Sequence, residues 1–208
     1  MKVTLLNSYD SEDIAKLATA NCVGRLDKPT DKGLQTAVNS GHYSVLEHLP
    51  LTFLIEDVSR VTEVQLVRHR IASYSIKSSR YTFLDPDTCW YVIPPVYLKS
   101  EELRDRYVSF MESVKDFYLW SIKHGIAKED ARYALPQAKS TNIVMSMNAR
   151  AFIEQCSKRI CKKAQWEIRD LFKNMRECIR DKYPTVYSEA VPLCVYGTCP
   201  EVKKCTKE

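Results

Sequence analysis

Between Ser100 and Gly125 apolar residues recur every three or four positions: Leu103, Tyr107, Phe110, Met111, Val114, Phe117, Tyr118 and Ile122. That spacing predicts one long amphipathic helix of about six turns. Ser100 would cap its start, Lys123 would be its last residue, and Gly125 would end it as a C′ glycine. A helix so long with a continuous apolar stripe must be laid against a sizeable partner layer. A chain of 208 residues is long enough to supply one as a single domain, or one domain with an extension. The stripe therefore reads as core.

Helices are not the whole pattern. Leu49, Leu51, Phe53 and Ile55 alternate with period two, which predicts a strand, with Pro50 at an edge or at its start. Lys2 to Leu6 and Trp90 to Ile93, before Pro94 and Pro95, read as further short strands. Helical spacing or caps appear from Asp10 to about Ala20 (capped by Asp10 or Ser11), Thr30 to Ser40, and Val58 to about Arg70 (capped by Asp57). Others run from Lys128 to Leu135, from Ala149 after an Asn148 cap, and from Ile160 to Asp181. The expected class is α+β, a helix-rich single domain over residues 1–190. An irregular, Cys-containing tail follows over residues 191–208.

Composition narrows the function classes without choosing one. A hydrophobic content of 45% with 27% charged residues is ordinary for a globular protein, and the net charge of +5 is not blocky. Met1 to Asn7 is too short an apolar stretch for a signal peptide, and no run reaches membrane-spanning length. With eight cysteines, this predicts a cytoplasmic protein with mostly free thiols and no membrane partner. None of the five glycines builds a Rossmann or P-loop phosphate cradle. His42, His48 and His69 have poor ligand spacing for a metal, so no metal is expected. Cys194, Cys199 and Cys205 likewise match no finger pattern.

The densest chemistry lies in Arg68-His69-Arg70-Ile71-Ala72-Ser73-Tyr74-Ser75-Ile76-Lys77-Ser78-Ser79-Arg80. Guanidinium forks and hydroxyls in such numbers suit an anionic ligand held at several points. In a helix, Gln65, Arg68 and His69 would share one face while Arg70 points elsewhere, so one helix end could serve two ligands or two subunits. Ser78 has no base obviously placed to activate it, so it reads as a binding residue rather than a nucleophile.

The order Arg68-His69-Arg70-x7-Ser78-x-Arg80-Tyr81 resembles the signature of the flavin-dependent thymidylate synthases (the ThyX type). Gly41-His42-x-Ser44-x-x-Glu47-His48, Tyr91 to Pro95, Asp130 to Pro136 and Met147 to Arg150 are similar to further segments of that family. So is Arg159-x4-Ala164-Gln165-Trp166-Glu167-Ile168-Arg169. The resemblance spans roughly Gly41 to Asp181 and implies a small, largely antiparallel sheet. It implies reductive methylation of dUMP to dTMP, with methylenetetrahydrofolate as carbon donor and NADPH reducing FAD. It places Ser44, Arg68, His69, Arg70, Ile76, Asn148, Arg150 and Glu154 at the cofactor. Gln65, Arg68, Ile76, Lys77, Ser78, Ser79, Arg80, Arg132 and Arg159 would hold dUMP. Arg159 would be catalytic, its fixed charge favouring negative charge on the pyrimidine. A homotetramer with sites shared between subunits is implied, and no obligate nucleic acid.

The chain departs from the family pattern at two places. Ile76 stands where members usually carry Glu or Gln, and Glu154 where some carry Asn. These departures motivate an alternative, a non-catalytic nucleotide- or RNA-binding paralogue on the same scaffold. The tail cysteines motivate a second, a metal-stabilised assembly protein.

Overall fold

The structure is a computed structural model that describes residues 1–6, 11–82, 90–197 and 199. Four strands form one antiparallel sheet: β1 (Lys2–Leu5), β2 (Pro50–Ser59), β3 (Ser73–Ile76) and β4 (Ser140–Asn148), in the order β1-β2-β4-β3. The helices are α1 (Asp13–Cys22), α2 (Asp31–Asn39), α3 (Arg60–Leu66), α4 (Glu101–Lys123), α5 (Lys128–Ala131), α6 (Ala149–Arg159), α7 (Trp166–Cys178) and α8 (Pro184–Glu189). The helix-rich α+β expectation holds.

β2 buries Leu51, Phe53 and Ile55 on alternate positions, as its sequence predicts, and Pro50 is its first residue inside the sheet. Opposite it, β4 buries Thr141, Ile143, Met145 and Met147. Phe53 stacks on Phe152 of α6 at 5.7 Å, and Phe152 on Phe172 of α7 at 6.3 Å. These rings sit in the main core, which also takes in residues from α1, α2 and α8. A second, smaller core gathers Trp90, Tyr91, Met111, Tyr118 and Ala131 beneath α4.

Several boundaries differ from the expectation. α3 starts at Arg60, because Ser59, not Asp57, caps it by accepting from the Thr62 N–H. Asp57 instead sits at an irregularity of β2 with φ of 57°, its N–H bonded to the Asn142 side chain. α7 begins at Trp166 because Gln165 turns its side chain onto the Glu167 and Ile168 amides. Trp90 to Ile93 makes one bridge, Tyr91 to Lys139, rather than a strand. α1 starts at Asp13, and Asp10 lies outside the described residues.

The stripe of α4 is the larger correction. Tyr107, Met111, Val114, Tyr118 and Ile122 face the second core, whereas Leu103, Phe110 and Phe117 are exposed. One periodic run on the sequence is two adjoining faces in the structure, only one of them covered.

Candidate functional site

A cleft of about 670 Å³ opens where β3 ends and β4 begins. Ile76, Lys77, Ser78, Ser79 and Arg132 line it, five of the nine residues that the resemblance assigns to the substrate. Lys77 is fixed by its N–H to the Asn142 carbonyl at 2.9 Å. Beyond it the chain turns tightly. Ser78 Oγ accepts from the Arg80 N–H at 3.2 Å, and the Ser78 carbonyl accepts from Thr82 through both its N–H and its hydroxyl. Ile76 also packs against the main core, which suits an apolar side chain at that half-buried place.

Glu129 joins the two walls of this region. Its carboxylate pairs with Arg80 at 2.7 Å, and its carbonyl accepts from Arg132 Nε at 3.0 Å. Arg80 thereby stands beside α5 although it does not itself line the cleft.

The sequence reading missed Arg60, Glu63, Gln137 and Lys139 as lining residues. The first two had a signal, since they lie one turn apart at the start of a helix. Gln137 and Lys139 precede a strand that was not anticipated. Glu63 is buried and takes both carboxylate contacts from Arg60 Nη1 at 2.7 Å. Burial pushes its carboxyl up, against the pull of Arg60. Lys139 is also buried; burial, then Lys77 and Arg60, pull its ammonium down. The lining thus carries four cations, Arg60, Lys77, Arg132 and Lys139, against one carboxylate already engaged. Such an imbalance favours an anionic guest such as a phosphate ester.

A second group assembles on the far side of α3. Helix α3 stops at Leu66, so Arg68, His69 and Arg70 follow it in a turn and do not share a helix face with Gln65. The turn is held by the Tyr74 hydroxyl, which lies 2.9 Å from the carbonyls of both Leu66 and His69. The His69 ring points inward, edge-on to Phe172 at 6.0 Å. Arg159, at the end of α6, donates from Nε to His69 Nε2 at 3.0 Å and from Nη2 to the Gln65 carbonyl at 3.3 Å. His69 is therefore the neutral tautomer protonated at Nδ1. Burial, then the charges of Arg159 and Lys158, lower its pKa to about 4. Arg68 and Arg70 are exposed and make no ion pair or hydrogen bond among the described residues.

This has a consequence for stability. Between about pH 4 and 6.5 the unfolded chain protonates His69 and the folded chain does not. The contribution is complete above pH 6.5 and is lost as pH falls through that window. Solvent screening at a half-buried ring leaves about 1–2 kcal/mol of it. Urea titrations of the native chain and His69→Gln at pH 7 and pH 4.5 are expected to show the native chain losing that much more on acidification.

The third group lies at the other end of β4. Asn148 caps α6 through the Ala151 N–H at 2.8 Å, and Gly41, with φ of 81°, turns the chain into the short 3-10 segment Tyr43–His48 that exposes Ser44. Arg150 pairs with Glu47 at 2.7 Å and with Glu154 at 3.4 Å. Glu154 is thus held by a cation, and both carboxylates raise the Arg150 pKa. Asn142, beside Lys77, and Asn148 are six strand residues apart, about 20 Å along β4. Within one copy, the cleft and the Arg150 group do not meet.

Comparison with known proteins decides the family. The family model described as thymidylate synthase complementing protein matches residues 4–185. A flavin-dependent thymidylate synthase of Geobacter sulfurreducens is 39% identical over 212 residues, covering 97% of this chain and 91% of that protein. The chain belongs to the flavin-dependent thymidylate synthase family. The Pyrococcus furiosus member is 40% identical over 182 residues, covering 84% of this chain and 75% of that protein. The crystal structure of the Helicobacter pylori member, complexed with FAD and dUMP, aligns over 92% of this chain and 100% of that one, with a TM-score of 0.73 and 26% identity. A UMP/dUMP methylase from Streptomyces cacaoi shares the fold at a TM-score of 0.76 and 22% identity, over 90% of this chain and 93% of that one. Among the described residues no helix is long and apolar enough to cross a membrane.

Proposed function

We propose that the chain converts dUMP to dTMP, with methylenetetrahydrofolate giving the carbon and NADPH the reducing equivalents through FAD. The observation that carries this is the cationic cleft, where Lys77, Ser78, Ser79 and Arg132 converge with Lys139. A nucleotide phosphate there would meet guanidinium and ammonium donors and two hydroxyls. Ile76 lacks the polar side chain usual at its place, so it would contribute backbone and apolar contact only.

The cofactor set also fits its chemistry. Arg68 and Arg70 are guanidiniums on one exposed turn without partners among the described residues, suited to a diphosphate. Ser44, Asn148 and Arg150 would add contacts, and Arg150, which also pairs with Glu47, holds the Glu154 carboxylate. Bound FAD would supply the hydride, and this chain would orient and supply charge. Arg159, positioned by His69 and Gln65, would hold a permanent positive charge against the pyrimidine.

The separation of the cleft from the Arg150 group along β4 supports a homotetramer whose sites draw residues from more than one copy. Residues 1–190 would form the synthase domain, in the cytoplasm. The test is a visible spectrum of the purified chain with FAD, followed by dUMP titration. A flavin spectrum that shifts with dUMP is expected, with dTMP formed once folate and NADPH are added. Retained flavin with no response to dUMP would overturn the assignment of the cleft.

A further inference from the structure

The exposed face of α4 carries a regular ladder. Leu103, Arg106, Phe110, Ser113, Phe117, Trp120 and His124 follow one another at alternating intervals of three and four, and all are exposed. Leu103, Phe110, Phe117 and Trp120 keep 42%, 59%, 56% and 54% of their surface in solvent. Phe117 and Trp120 stack at 6.0 Å, and Trp120 and His124 at 4.2 Å, so the rings form a continuous aromatic strip. The three-four interval is the seam of a two-helix coiled coil. Yet this helix already buries its opposite face in the second core. Four large apolar side chains left in water along one seam of the longest helix mark an interaction surface.

We propose that this seam pairs antiparallel with the same seam of a second copy, about a two-fold axis passing between Met111 and Glu112. The argument is self-complementarity. In that register Phe110 meets Ser113 of the second copy, a large ring opposite a small side chain. Arg106 lies over the face of the second copy's Phe117, a cation–π pair. Leu103 packs on its Trp120. At the flank, Glu102 faces Lys123, which are opposite charges, and Ser109 faces Asp116. Sliding the pair by one heptad brings Asp116 against the second copy's Asp116 in one direction and against its Glu102 in the other, and disfavours both registers. The six ladder members from Leu103 to Trp120 find their complements on the ladder itself, as an isologous contact requires, and His124 lies beyond the paired stretch. The proposal rests on the homo-oligomer proposed above and names one of its interfaces.

Sedimentation velocity of the full chain tests it. Phe117→Lys sets a like charge against Arg106 of the second copy, and the assembly mass is expected to fall to half the native value with unchanged circular dichroism. Arg106→Glu combined with Phe117→Lys restores an attractive pair and is expected to return the native mass. If Phe117→Lys keeps the full mass, this interface is overturned and the oligomer reading stands. A native chain that sediments as a monomer overturns both. Failure of the double variant to reassociate overturns the register.

Discussion

Replacing Arg159 by Ala is expected to lower kcat for dTMP formation by roughly 10²–10³-fold, the loss typical of removing one preorganised donor to developing negative charge. The guanidinium is half-buried, and burial lowers its pKa, so solvent screens the positive charge only in part. Its orientation is fixed at two points, His69 Nε2 and the Gln65 carbonyl. Both acceptors are neutral, so no carboxylate in these contacts cancels the charge. Arg159→Lys keeps a charge but cannot reproduce the fork that reaches both acceptors. It is expected to recover only part of the rate. Stopped-flow turnover with saturating dUMP separates kcat from KM. A purely binding role would raise KM and leave kcat in place, which would remove Arg159 from the chemistry. His69→Gln gives a second readout, since the ring positions Arg159 without reaching the reacting atoms. It should lower kcat less than Arg159→Ala and flatten the acid side of the stability profile.

What the sequence made legible was the periodic and the contiguous. The strand at Leu51, Phe53 and Ile55 and the caps at Ser100 and Asn148 stood where their local pattern placed them. β4 was missed although Thr141, Ile143, Met145 and Met147 alternate. Asn142, Ser146 and the methionines are weak strand formers, and pairing with β2 and β3 on both sides is what holds them extended. β3 was missed because only Tyr74 and Ile76 turn inward in a run otherwise read for its charge. The α4 stripe was misjudged because periodicity identifies apolar faces and not which of them is covered. The His69–Arg159 contact spans 90 positions in the chain, and no local signal announces it.

Glu167→Ala is expected to cost about 3 kcal/mol of stability. The carboxylate is buried and takes the Ser59 N–H at 2.8 Å and the Ser59 hydroxyl at 2.5 Å. That hydroxyl in turn accepts from the Thr62 N–H and starts α3. Removing the carboxylate strands a buried donor that was bonded to a charge, for about 1–3 kcal/mol, and frees the cap that orients the helix, for about 1 kcal/mol more. In a chain of this size the melting temperature should fall by about 6–12 °C. Glu167→Gln preserves shape and one acceptor oxygen, so it should lose about half as much. The effect should also reach the cleft, because α3 carries Arg60 and Glu63 into its wall. KM for dUMP is therefore expected to rise in Glu167→Ala at temperatures where the variant remains folded. A variant with native melting and native KM would show that Ser59 does not depend on Glu167. The Glu167 place in the Gln165-Trp166-Glu167 segment would then need a chemical rather than an architectural reason.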